Sequence, residues 1–85
     1  MGAQVEVKLF VKQDCPRCPA AKQACEGLQN LSIYDVGSID GLAEASFYGI
    51  MATPTVLILD SAGNEVAAWR GEAPRAAELH TLLAN

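Results

Sequence analysis

No apolar run in this sequence is long enough to cross a bilayer, and the first residues carry no signal-peptide pattern. A membrane-spanning helix is excluded, and the cytoplasm is the expected compartment. Met1-Gly2 opens like a myristoylation site, but Glu6 stands where Ser or Thr is needed, so no membrane partner is expected. Cations are scarce: 6 Lys and Arg stand against 10 Asp and Glu, for a net charge of −4. Binding to nucleic acid needs clustered cations to replace counterions, so that partner is excluded too. Histidine occurs once and cysteine 3 times. In a chain without a leader, so few cysteines point to redox or metal chemistry rather than a disulfide framework. There is no internal repeat, linker or low-complexity segment.

What is present suffices for one domain spanning residues 1–85, since 51% of the residues are hydrophobic and can fill a core. Val5 to Val11 alternates with period two and predicts a strand whose second face is at least partly covered. Asp14-Cys15-Pro16-Arg17-Cys18 follows, with Pro16 suited to a first helical position. Pro19 forfeits a helical hydrogen bond, so either the first turn is irregular or the regular helix starts at Cys18. Ala20 to Leu28 is rich in helix formers, with Gly27 weakening its end and Asn30 able to stop it. Leu31 to Val36 predicts a second strand, parallel to the first because a helix intervenes. Asp40 is the expected N-cap of a helix from Gly41 to Tyr48, closed by Gly49. Thr55 to Leu59 is continuously apolar, the mark of a central strand buried on both faces. A turn at residues 60–64, a returning strand from Glu65 to Arg70 and a break at Gly71 predict an antiparallel hairpin. Pro74 starts a last helix with Ala76, Ala77, Leu79, Leu82 and Leu83 as its apolar positions. The order β-α-β-α-β-β-α predicts an α/β fold, a four-stranded mixed sheet flanked by three helices.

Two cysteines separated by two residues can close a small ring and open it again with little backbone movement. If the following run is a helix, Cys15 lies at its N-terminus, where unpaired N–H groups and the dipole favour a thiolate. The thiolate is the form that attacks disulfides. Asp14 opposes it as a like charge, while Lys12 and Arg17 favour it. Arg17 is open to two readings, a residue that tunes the couple or a solvated helix start. Cys25, seven residues after Cys18, shares its helical face and is expected to pack with Ala21 and Leu28; a regulatory or metal-binding thiol is the minority reading. Trp69 is read as packing, His80 as a surface residue, and Lys22 with Glu26 as a weak same-face pair.

The chain resembles small thioredoxin-fold proteins of the thioredoxin/glutaredoxin family over its whole length. Leu9 to Cys18, with Lys12 three residues before the first cysteine, is similar to glutaredoxins. Ala45 to Ile50 followed by Thr53-Pro54-Thr55, and Gly63 to Gly71, look more like thioredoxins. The sequence departs from thioredoxins at Leu9, where they place a buried aspartate, and at Asp14, where they place tryptophan. It departs from glutathione-using glutaredoxins in Ala52-Thr53-Pro54 and in the single glycine of Gly71-Glu72-Ala73-Pro74. The segment from Glu65 to Gly71 is also a residue short, so the edge strand is expected to lack the thioredoxin bulge.

The resemblance implies Cys15 as nucleophile and Cys18 as the resolving thiol, with Pro16, Arg17, Thr53, Pro54 and Gly71 binding substrate. Pro54 is implied to follow a cis bond, leaving the Thr53 backbone free to pair with an extended substrate. The implied activity is thiol–disulfide oxidoreduction of protein disulfides by a monomer that needs no cofactor or metal. A flavin-dependent, thioredoxin-reductase-type enzyme is the implied electron source. The alternatives are a glutathione-dependent glutaredoxin and, in another class, a metal or iron–sulfur module on Cys15 and Cys18.

Overall fold

The computed structural model describes residues 5–83. The elements run β1 (Glu6–Val11), α1 (Cys18–Ala24), β2 (Leu31–Asp35), α2 (Ile39–Phe47), β3 (Thr55–Leu59), β4 (Glu65–Arg70) and α3 (Ala76–Leu83). The sheet order is β2-β1-β3-β4, with β1 parallel to β2 and the other two pairings antiparallel. This is the thioredoxin-like α/β arrangement expected, with β1 and β3 in the centre.

Period-two alternation sorts the strand side chains into two cores. Val7, Leu9, Val11, Val56 and Ile58 point toward α1 and α3, where Ala21, Cys25 and Leu79 meet them. Phe10, Leu57 and Leu59 point the other way, against Ala45 of α2. The second face of β1 is covered more fully than expected: Phe10 has no exposed surface and Lys8 only 6%. Burying a side chain the size of Phe10 contributes about 1.5–3 kcal/mol.

Several boundaries differ from the sequence reading. The helix expected to reach Leu28 ends at Ala24, with Cys25 as its C-cap and Gly27 turning the chain at φ 80°. Lys22 and Glu26 therefore do not share a helix, and both are exposed. Helix α2 starts two residues before the predicted Gly41, because Ser38 rather than Asp40 is the N-cap; its hydroxyl accepts from the Gly41 N–H at 3.0 Å. Gly41 must be glycine here, since an added Cβ would run into the Asp35 carbonyl oxygen. The bulge expected to be missing from the edge strand is present: Ile58 pairs with Ala67 but Leu59 with Glu65, so Val66 is the extra residue. Helix α3 starts at Ala76 rather than Pro74, and it buries Leu79 and half-buries Leu83 while Ala76, Ala77 and Leu82 face solvent.

Candidate active site

Strand β1 delivers the chain to Lys12, and the turn at residues 13–14 swings it round to Cys15. Asp14 has φ 59°, a left-handed conformation that aspartate tolerates better than most residues and tryptophan does not favour. Cys15 and Cys18 form a disulfide with their Cα atoms 5.3 Å apart. Cys15 is half-buried and Cys18 buried, so the first sulfur belongs to the more accessible residue, as expected.

The start of α1 decides between the two possibilities the sequence left open, in favour of a regular helix from Cys18. Arg17 is the N-cap and the first helical residue is Cys18, so Cys15 lies ahead of the helix rather than on its first turn. Pro19 has no N–H to give the Cys15 carbonyl. That carbonyl accepts instead from the Cys18 N–H at 3.2 Å, closing a turn around the two cysteines. Sulfur position is thus set by the turn and two prolines, more than by a helix end.

The residues singled out around the cysteines converge. The Thr53–Pro54 bond is cis, and Pro54 is buried. The Gly71 N–H donates to the Pro54 carbonyl at 2.8 Å, and Arg17 Nη1 donates to the Gly71 carbonyl at 3.3 Å. Arg17 therefore links the cysteine turn to the end of β4, which the reading as a free solvated residue did not foresee. Gly71, at φ 77°, also backs onto Ala52: a Cβ there would sit 3.5 Å from the Ala52 Cβ. The Thr55 hydroxyl donates to the Ala52 carbonyl at 2.8 Å and holds the loop before Pro54. Thr53 is half-buried, and among the described residues neither its N–H nor its C=O is taken by a hydrogen bond. Pro16 lines a depression of about 480 Å³ with Lys12, Asp14, both cysteines, Pro19 and Lys22. A depression of about 470 Å³ at the other end of the sheet, lined by Glu6, Asn30, Asp60 and Ser61 among others, holds no cysteine.

Beneath the disulfide the core is apolar. Leu9 lies with Cys18 and Cys25 in one cluster, and the buried polar or charged residues among those described are Lys8 and Thr55, with no carboxylate. Burial pushes the Cys25 thiol up, so it serves as a packed small hydrophobe, as expected. Trp69 packs half-buried on this same cluster, and His80 is exposed. Among the described residues no group of three His, Cys, Asp or Glu side chains could hold a metal ion.

The sequence reading missed Lys8. Its Nζ donates to Glu44 Oε2 at 2.6 Å and to the Tyr34 hydroxyl at 3.2 Å, and lies 5.1 Å and 5.5 Å from the Tyr34 and Tyr48 ring centroids. Burial alone would lower its pKa, but hydrogen bonds to Glu44 and Tyr34 outweigh that and hold it above the ordinary lysine value. Lys8 is on the α2 side of the sheet, so it anchors that helix rather than serving the sulfurs. The only available signal was a cation between inward-facing residues on a strand whose second face was read as at least partly covered.

The chain matches the thioredoxin-domain family over residues 5–84. A thioredoxin from Methanocaldococcus jannaschii is 34% identical over 61 residues, covering 66% of this chain and 72% of that one. The solution structure of a thioredoxin from Thermus thermophilus superposes with a TM-score of 0.67 at 24% identity, covering 93% of this chain and 71% of the other. A thioredoxin-fold protein from Helicobacter pylori gives a TM-score of 0.73 at 14% identity, covering 94% and 69%.

Proposed function

As the chain belongs to the thioredoxin-domain family, whose members carry redox function, we propose that it is a protein-disulfide reductase acting through Cys15 and Cys18. The observation that supports this most is the Cys15–Cys18 disulfide, tied through Arg17 and Gly71 to the cis Thr53–Pro54 bond. The Cys15 thiolate attacks one sulfur of the substrate disulfide, forming a mixed disulfide and expelling the first substrate thiolate. Cys18, having lost its proton, attacks Cys15 and expels the second. Two electrons pass to the substrate and the Cys15–Cys18 bond is left for re-reduction. Proton removal from Cys18 falls to water or to a group other than the residue at position 9, because Leu9 offers no carboxylate.

Thr53 pairs through its backbone with an extended substrate segment, Pro54 shapes that edge, and Pro16, Arg17 and Gly71 border it. Arg17 and Lys12 favour the reduced thiolate, against Asp14. The electron source is a flavin-dependent reductase of the thioredoxin-reductase type, the working form is a monomer, and the compartment is the cytoplasm. A glutathione-linked reading rests on Lys12, which lines the cysteine depression. Insulin reduction run with NADPH and thioredoxin reductase, then with glutathione and glutathione reductase, separates the two. Turnover with the first supply alone is expected; turnover with the second alone would make the chain a glutaredoxin.

A further inference from the structure

Charge is spread unevenly over this chain, and the cysteines lie where its sign reverses. Of the 6 lysines and arginines, Lys8, Arg70 and Arg75 each pair with a carboxylate: Glu44 at 2.6 Å, Glu65 at 2.6 Å and Glu78 at 3.9 Å. The others are Lys12, Arg17 and Lys22, which are exposed and, among the described residues, form no ion pair. All three belong to the segment around the disulfide. Lys12 follows β1 directly, Arg17 caps α1, and Lys22 stands one turn after Cys18 on that helix. Lys12 and Lys22 line the same depression of about 480 Å³ as Cys15 and Cys18. Asp14 is the one carboxylate that shares it.

We infer that Lys12 and Lys22 select substrate proteins that carry acidic side chains next to the attacked cysteine. The inference rests on the reductase reading and adds a substrate class to it. Bonding to Cys15 brings the substrate cysteine to this depression, so its flanking residues are the ones that reach the two ammonium groups. Each lysine holds its charge on a flexible four-carbon stem and can follow side chains of different length. The net charge of −4 works against acidic partners at long range. Physiological salt screens that repulsion beyond about 8 Å, so a docked segment meets the local cations instead. Basic flanks lose these contacts and face Lys12 and Lys22 as like charges. Two exposed charge pairs give a several-fold preference rather than an absolute one.

The test uses two disulfide-linked peptides that differ only in Glu or Lys at the residues flanking the cysteine. Each kcat/KM is divided by the rate with dithiothreitol, which removes the peptides' own difference in reactivity. The wild type should favour the Glu peptide about fivefold or more at low salt. Sodium chloride at about 1 M should bring the ratio close to one. Combining Lys12→Gln with Lys22→Gln should do the same at low salt. Arg75→Gln, which removes a cation whose side chain is 87% exposed ahead of α3, should leave the preference in place. Equal normalised rates in the wild type, a preference that survives the double variant, or an equal loss in R75Q would overturn the inference. Lysine-dependent reduction of a glutathione mixed disulfide beside equal peptide rates would also overturn it, assigning the pair to glutathione. Failure of the wild type to reduce either peptide would instead strike the reductase reading itself.

Discussion

Cys18 and Cys25 lie in one apolar cluster yet do different work, and accessibility decides which. Cys18 is tied to the half-buried Cys15, while Cys25 has no exposed surface and a thiol that burial keeps protonated. Cys25→Ala should leave insulin reduction intact and cost about 1 kcal/mol, whereas Cys25→Ser should cost about 1–3 kcal/mol by burying a hydroxyl without a partner. Urea denaturation of both variants checks this; a more stable serine variant would contradict the packing role. Arg17 is the other residue whose role turns on surroundings. It bonds the Gly71 carbonyl in the disulfide form, and under the proposed function its charge would favour the thiolate in the reduced form. Arg17→Gly should make the couple more reducing when equilibrated against glutathione buffers, and an unchanged potential would favour the reading of Arg17 as a helix-start residue with no effect on the couple.

At the scale of elements, α2 is fastened by devices that leave its outside free. The Lys8–Glu44 bond is one, with the Lys8 side chain 7% and the Glu44 side chain 29% exposed. Removing the carboxylate strands a buried cation, so Glu44→Ala should cost near the lower end of about 3–5 kcal/mol. Lys8→Met also removes one partner of the pair, but the Glu44 carboxylate left behind is 29% exposed and can keep water, so this variant should cost less than Glu44→Ala. Thermal melts that reverse this order would contradict the account. The pH dependence has a definite sign: Lys8 titrates above its unfolded value. Its stabilisation is complete below about pH 10.4 and is lost as pH rises through the higher folded value, and Lys8→Met should abolish that alkaline loss. Gly41→Ala, which drives a methyl into the Asp35 carbonyl, should cost about 3 kcal/mol or more in the same melts.

Across the whole molecule, what repeats with a short period was legible and what depends on distant partners was not. The alternation in β1 and the apolar run of β3 gave the sheet its centre, and the cysteine spacing gave the site. The start of α1 was left open between two possibilities because Pro19 shifts the hydrogen bonds of one turn. The start of α2 was misplaced because Ser38 and Asp40 are both good caps, and only the close approach of Gly41 to β2 chooses between them. Lys8 went unread because its partners lie 26 and 36 residues away. The Arg17 contact to Gly71 spans 54 residues and has no local signature either. Covalent trapping tests the central claim most directly. Cys18→Ser, incubated with a disulfide-bonded protein and mapped by mass spectrometry under non-reducing conditions, should yield a stable adduct through Cys15 that dithiothreitol releases. No adduct on any disulfide substrate, or one carried by Cys25, would contradict the account.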